Sequence, residues 1–113
     1  MDFHEVQHDL KGPATELRRE IPDVLAAYAQ LHGAAMRDGA LDLKTKELIA
    51  LGISITKECD GCVAAHARGA VRHGATRAEV AETAGVAVMM NGGPGTVWGP
   101  RALEAFDQFS EGA

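Results

Sequence analysis

Residues 42–66 read DLKTKELIALGISITKECDGCVAAH and predict two consecutive helices. Asp42 can cap the first of them, which we expect over residues 43–56. Apolar side chains lie almost all round this segment, a pattern typical of a helix in the middle of a bundle or at a subunit interface. The second helix should begin near Cys59 and run to His73. The run ALGISIT could suggest a strand, but its length and helical flanks favour a helix.

Capping residues mark further helices. Pro22 suits the first turn of a helix that ends near residue 37. Gly74 is a typical C-terminal stop for the helix that carries the cysteines. Residues 76–79 have the T-x-x-E pattern of a capping box, which predicts the start of a helix over residues 77–90.

The C-terminal part of the chain predicts one more helix. The stretch NGGPG at residues 91–95 interrupts the helical pattern. Gly99-Pro100 either begins the last helix or kinks one that begins earlier. The apolar residues expected on this helix are Ala102, Leu103, Phe106 and Phe109. We therefore predict an all-α helical bundle of about five to six helices, with residues 1–113 forming a single domain.

Composition and charge exclude several classes of protein. The chain has 113 residues, enough for one domain, and its 46% hydrophobic content is too high for a disordered protein. The net charge is −5 and no cluster of Lys and Arg is present, so we expect neither nucleic-acid nor membrane binding. We find no signal peptide and no apolar stretch of membrane-spanning length, so a cytoplasmic location is expected. In that compartment a close cysteine pair is usually catalytic or metal-binding.

The two cysteines of the chain, Cys59 and Cys62, lie three positions apart. At a helix start the first cysteine lies among unpaired backbone N–H groups, and the positive end of the helix dipole stabilises its thiolate. The second cysteine lies one turn further on, close enough for a disulfide, and Gly61 suits a tight backbone path between them. His66 shares a helical face with Cys62 and can take up or return a proton. This arrangement favours thiol redox chemistry.

Other interpretations of these residues remain open. Two neighbouring cysteines can be inert buried thiols. Cys59, Cys62 and His66 could supply three zinc ligands, but His73 lies about 10 Å further along the helix and cannot complete the same site. Residues 4–8, HEVQH, match the H-E-x-x-H metalloprotease pattern, but they lie at the extreme N-terminus without the context that such a site needs. We therefore predict no metal and no cofactor.

Glu47 is a fourth candidate. It precedes Cys59 by twelve residues, on the first predicted helix. The apolar residues on its helical face are Leu43, Leu51 and Ile55. A carboxylate on such a face usually has a partner or a chemical role. Spacing alone leaves open the alternative of a solvated glutamate beside Lys44 and Lys46.

The combined pattern of Glu47, eleven residues, Cys59-x-x-Cys62, three residues and His66 resembles the alkyl hydroperoxidase D and carboxymuconolactone decarboxylase superfamily. The resemblance extends over residues 43–106, including the stretch GGPGTVWGPRALEAF. It implies all-helical subunits that assemble as trimers or hexamers. In the redox branch the matching Glu, Cys, Cys and His form a proton relay for peroxide reduction, whereas the decarboxylase branch lacks the cysteine pair.

The sequence therefore predicts a thiol-dependent antioxidant enzyme that reduces hydroperoxides and is reset by an external dithiol. Cys59 and Cys62 would cycle between dithiol and disulfide, and His66 and Glu47 would move protons. Which cysteine meets the peroxide is left open, and Gly61 stands where well-studied members of the branch carry a histidine. Two alternatives are a cofactor-free decarboxylase or lactone-handling enzyme and a non-catalytic redox-sensing subunit.

Overall fold

The computed structural model describes residues 1–111 and, over that range, contains six α-helices and no strand. The helices are α1 (Phe3–Glu20), α2 (Pro22–Ala35), α3 (Leu43–Thr56), α4 (Asp60–Arg72), α5 (Arg77–Asn91) and α6 (Gly95–Glu111). The prediction of an all-α fold is confirmed. None of these helices is both long enough and apolar enough to cross a membrane.

The predicted side-chain caps are present at the N-termini of two core helices, α3 and α5. Asp42 accepts the Thr45 backbone N–H at 2.8 Å, and its hydrogen bonds with Thr45 hold the pKa of Asp42 below its ordinary value. Thr76 and Glu79 form a reciprocal capping box at the start of α5. The hydrogen bond from the Thr76 backbone N–H lowers the pKa of the Glu79 carboxyl, and the hydrogen bond from Lys44 has the second largest effect in the same direction. The caps satisfy backbone donors that would otherwise lack partners, and so they fix where these helices begin.

The turn between α3 and α4 determines where α4 begins. Glu58 has a φ of 55°, in the left-handed region. Its N–H donates to the Ile55 carbonyl at 3.1 Å, and the N–H of Cys59 donates to the Ser54 carbonyl at 3.3 Å, which closes α3 with a Schellman motif. The same motif ends α4, where the left-handed residue is the predicted Gly74. A glutamate in this conformation is uncommon, so only the structure identifies Glu58 as the turn residue.

Four helices form the core, in the spatial order α3, α4, α6, α5, and α5 packs back against α3. α1 covers the α4–α6 side, whereas the backbone of α2 packs against α1 alone and its last residue accepts a hydrogen bond from Lys46 of α3. Half of the buried apolar residues are alanines, whose small side chains allow close packing of the helices. The core consists of Phe3, Leu51, Ile55, Val63, Ala64, Ala67, Ala70, Val80, Ala84, Ala87, Ala102, Ala105, Phe106 and Phe109.

The closest packing joins α5 to α6. A Cβ atom at Gly95 would lie 2.8 Å from the Cα of Val88, and one at Gly99 would lie 3.2 Å from a methyl group of the same valine. The two glycines are one turn apart, so they present a side-chain-free strip against which α5 packs. α6 begins at Gly95 and contains Pro100, so the helix begins earlier than the Gly99-Pro100 pair.

The N-terminal helix, which the sequence pattern did not delimit, is the longest of the six described. Asp2 caps it by accepting the backbone N–H groups of His4 and Glu5. Phe3 is fully buried, and its N–H donates to the Gln108 side chain of α6 at 2.9 Å. These contacts attach α1 to the α4–α6 side of the core, next to the cysteine-bearing helix.

Candidate active site

The two cysteines lie at the start of α4. Cys59 is the N-cap residue and Cys62 is in the first turn, with their Cα atoms 5.2 Å apart and their sulfurs joined in a disulfide. The sulfur of Cys59 also accepts the backbone N–H of Cys62 at 3.2 Å. Both residues are half-buried. The pair therefore has the helix-start position and the proximity that the redox interpretation requires.

The expected role of Gly61 is wrong. The backbone between the two cysteines is ordinary helix, and the left-handed residue is Glu58, which precedes them. A Cβ atom at Gly61 would lie 3.2 Å from Cδ1 of Leu10 on α1. Gly61 therefore leaves room for the α1 side chain that packs over this end of α4, and the tight turn lies outside the C-x-x-C sequence.

The structure brings Glu47 and His66 together. Oε2 of Glu47, on α3, lies 2.9 Å from Nδ1 of His66, on α4. Glu47 is only 7% exposed, so it is not the solvated glutamate that spacing alone left open. The two neighbouring lysines point elsewhere: Lys44 pairs with Glu79, and Lys46 donates to carbonyls at the end of α2. A buried carboxylate thus has an imidazole as its partner.

This contact fixes the orientation of the imidazole. With Glu47 as a carboxylate, which only accepts hydrogen bonds, this contact requires the tautomer in which Nδ1 of His66 donates. The second ring nitrogen, Nε2, is then an acceptor. His66 follows Cys62 by one helical turn and shares its face. The structure therefore places a carboxylate-bound imidazole on the same helix as the cysteine pair, one turn after Cys62.

Gly69 provides the space that the Glu47 carboxylate occupies. A Cβ atom at Gly69 would overlap all three carboxyl heavy atoms of Glu47, and it would lie 2.7 Å from Oε1. Gly69 is itself buried, within α4 and almost one turn beyond His66. A glycine inside a helix usually reduces stability relative to alanine. At this position the lower helix propensity is accepted because a larger residue would overlap the Glu47 carboxylate. Gly69 was not among the residues that sequence reasoning selected.

We expect Gly69→Ala to slow oxidation of the reduced thiols by hydrogen peroxide by about tenfold or more, because the displaced Glu47 no longer orients His66. Overpacking should also lower the free energy of unfolding by about 1–3 kcal/mol. Stopped-flow thiol oxidation and urea denaturation measure the two effects.

Two further variants separate positioning from general destabilisation. Gly85→Ala is the matched control, because an added Cβ at this exposed helical glycine has no heavy atom within 4 Å. It should leave the oxidation rate unchanged. Glu47→Asp shortens the side chain and removes the overlap, so adding Gly69→Ala to it should cause little further loss of stability. A normal oxidation rate in a folded Gly69→Ala protein would contradict the positioning role.

The other candidate motif does not form a site. His8 is exposed beside Asp9, and the ring of His4 packs against Phe109 with its Nε2 3.3 Å from the Gln108 carbonyl. Within residues 1–111, no three His, Cys, Asp or Glu side chains are placed to hold one metal ion. The residues that the structure brings together are therefore those of the C-x-x-C helix and Glu47.

Known proteins resemble this chain in sequence, and two crystal structures resemble it in fold. The model of the carboxymuconolactone decarboxylase family matches residues 22–109. An uncharacterized protein of Haemophilus influenzae is 41% identical over 105 residues, which cover 93% of each chain. The crystal structure of a carboxymuconolactone decarboxylase family protein from Legionella pneumophila has a TM-score of 0.92 and 42% identity, over 96% of each chain. A Thermotoga maritima crystal structure has a TM-score of 0.75 and 29% identity, covering 86% of this chain and 91% of that one. This chain therefore belongs to the carboxymuconolactone decarboxylase family.

Proposed function

We propose that the protein is a thiol-dependent peroxidase that reduces hydroperoxides through a dithiol–disulfide cycle of Cys59 and Cys62. The observation that carries the proposal is the cysteine pair at the N-terminus of α4, one turn before a histidine that a buried carboxylate holds. The resemblance implies that the decarboxylase branch lacks the cysteine pair, so this pair favours the redox alternative. Family membership together with the Cys59–Cys62 disulfide supports the coarser statement that the protein carries out redox chemistry.

The cycle has three steps. In the first step a thiolate attacks the terminal oxygen of the hydroperoxide and the O–O bond breaks. The cysteine becomes a sulfenic acid, and the departing oxygen takes up a proton and leaves as an alcohol or water. The second thiol displaces hydroxide from that sulfenic sulfur, forming the disulfide and water. An external dithiol then reduces the disulfide and is itself oxidised. One peroxide is consumed for each dithiol.

His66 supplies and removes the protons that this cycle requires. Its Nε2 can accept the proton of a thiol and return it to the departing oxygen, while Nδ1 stays bonded to Glu47. Without a donor, the leaving alkoxide or hydroxide would be a poor leaving group. Glu47 holds the ring in one orientation and stabilises the charged imidazolium, so both residues act on the same step.

The reductant should be a dithiol rather than a metal or flavin group. The Cys59–Cys62 disulfide is reduced in two steps. One thiolate of the reductant attacks a sulfur to form a mixed disulfide, and a second thiolate then displaces the protein thiol. A dithiol supplies both thiolates within one molecule. Such reductants are maintained in reducing compartments, and we infer a cytoplasmic setting on that basis.

Steady-state peroxide consumption tests the proposal. Wild-type protein with dithiothreitol should consume many equivalents of hydrogen peroxide or cumene hydroperoxide, and the Cys59→Ser/Cys62→Ser double variant should match the rate without protein. A redox-sensing subunit would instead add only slightly to the rate without protein, because its thiols need not be oxidised and reduced quickly. Absence of any protein-dependent consumption, with both thiols fully reduced at the start, would reject the peroxidase assignment.

A further inference from the structure

A groove lies between α1 and α4, beside the cysteine pair. Its volume is about 530 Å³, within the usual range for sites that bind small organic molecules. Gly61, which lies between the two cysteines in the chain, is part of its lining, so the groove passes the end of α4 that carries the disulfide. The rest of the lining includes apolar surface from Leu10 and Ala14 and three cations, which are Lys11, Arg18 and Arg68. We call this surface the basic groove.

The three cations of the basic groove have no carboxylate partner. Within the part of the chain that the structure describes, residues 1–111, none of them forms an ion pair and no Asp or Glu lines the groove. By contrast, two cations that join helices elsewhere are paired, Lys44 with Glu79 and Arg77 with Asp107. The chain as a whole has a net charge of −5. An unbalanced positive surface in an acidic protein attracts an anion to that place.

Arg68 is held in position by uncharged neighbours. Its Nη1 donates to Oε1 of Gln7 on α1 at 2.9 Å, and its guanidinium lies 5.8 Å from the centre of the Phe109 ring on α6. A guanidinium has five N–H donors, so most of them remain for a carboxylate. An arginine that is already held loses less side-chain freedom when it binds an anion.

The charges near the cysteines determine which way round an anionic molecule lies. Glu58 and Asp60, on either side of Cys59, are exposed and repel an anionic group at the cysteines themselves. Arg68 lies on α4 beyond Gly61, roughly 10 Å further along the helix axis. A molecule with its anionic group at one end and its reactive group at the other satisfies both conditions.

We propose that the basic groove binds organic hydroperoxides that carry a carboxylate, and that such acids are the preferred substrates of this protein. The inference rests on the peroxidase function proposed above. The carboxylate lies against the cations, the hydrocarbon part lies on Leu10 and Ala14, and the hydroperoxide group reaches the cysteine pair. The hydroperoxide is reduced to the corresponding hydroxy acid and water, while the two thiols are oxidised to the disulfide.

Stopped-flow oxidation of the fully reduced protein tests the proposal with two probes, linoleic acid hydroperoxide and its methyl ester. The probes share the hydrocarbon and peroxide groups and differ in the negative charge. At low ionic strength the acid should oxidise the wild type about tenfold faster than the ester, because several exposed ion pairs of modest strength act together. Added salt should bring the ratio of the two rates towards one, since it screens exposed charges.

Variants of the groove identify the residues that cause the preference. Lys11→Gln, Arg18→Gln and Arg68→Gln should each lower the acid-to-ester ratio, and the triple variant should bring it to about one. Arg72→Gln is the matched control, because this exposed arginine lies one turn beyond Arg68 and does not line the groove. It changes the net charge equally and should keep the wild-type ratio. The ratio is taken within each protein, so a general loss of stability or thiol reactivity affects both probes alike.

The outcomes separate this inference from the peroxidase proposal. If neither probe nor hydrogen peroxide oxidises the thiols, the peroxidase assignment is rejected and this inference with it. Equal rates for the acid and the ester in the wild type would overturn the inference alone, and so would a preference for the acid that survives in the triple variant. The groove would instead serve an anionic reductant if the triple variant slowed disulfide reduction by dimercaptosuccinate but not by dithiothreitol, with the acid-to-ester ratio unchanged. That result would also overturn the inference.

Discussion

Replacing either cysteine should reduce steady-state peroxide consumption by about 10³-fold or more, because a serine hydroxyl neither attacks a peroxide nor forms a disulfide at neutral pH. The two variants should differ in the oxidation state of the cysteine that remains after exposure to peroxide. Cys59 is the N-cap residue and its sulfur already accepts a backbone N–H, so we expect it to be the attacking thiolate. Cys62→Ser should then react once and retain a sulfenic acid on Cys59, whereas Cys59→Ser should remain reduced.

Trapping with dimedone followed by mass spectrometry distinguishes these outcomes. Ala65→Ser is the control, since it adds a hydroxyl at an exposed position of the same helix and should behave as wild type. A sulfenic acid on Cys62 of the Cys59→Ser protein would reverse the assignment of attacking and resolving residues. Substantial turnover by either cysteine variant would contradict the dithiol cycle itself.

The second large effect concerns the proton relay. Glu47→Gln and His66→Gln should each slow oxidation of the reduced thiols by about 10²–10⁴-fold, the usual contribution of a general acid–base group. The amide in Glu47→Gln keeps the shape of the side chain and can still hydrogen-bond, but it cannot hold or release a proton at neutral pH. Because the two residues share one hydrogen bond, the double variant should be only slightly slower than the slower single variant.

Stopped-flow oxidation across pH measures these rates for the wild type, both single variants and the double variant. Glu79→Gln is the matched carboxylate control, because Glu79 caps α5 and pairs with Lys44. We expect it to lower stability but not the oxidation rate. Independent, multiplicative losses in the double variant would exclude Glu47 from the relay, and an unchanged rate in Glu47→Gln would leave it a structural residue.

Local signals explain why much of the fold could be predicted. The Asp42 cap, the Thr76–Glu79 capping box and Gly74 each satisfy backbone groups within a few residues of themselves, so short stretches of sequence reveal them. The predicted span of α3, residues 43–56, agrees with the structure for this reason. The spacing of Glu47, Cys59, Cys62 and His66 likewise allowed the family to be predicted, and the family model supports it.

Features that depend on contacts between distant residues could not be predicted. In the sequence, Gly69 is only a residue of low helix propensity within a helix. The position of α3 shows that a side chain at residue 69 would overlap the Glu47 carboxylate. Glu58 adopts a left-handed conformation that glycine usually provides, so no composition signal marks the turn before Cys59. The apolar side chains of α2 appear in the sequence as an ordinary helix face. The 61–65% exposure of Val24, Tyr28 and Leu31 is evident only once the other helices have been placed.

The most direct test of the dithiol cycle is a single-turnover experiment. Fully reduced protein is mixed with one equivalent of hydrogen peroxide, quenched at intervals with an alkylating agent and mapped by peptide mass spectrometry. We predict that two thiols disappear for each peroxide consumed, that they appear as a Cys59–Cys62 disulfide within one chain, and that disulfide formation keeps pace with peroxide loss. Peroxide loss with both thiols still free to alkylate, or disulfides formed only between chains, would contradict the account.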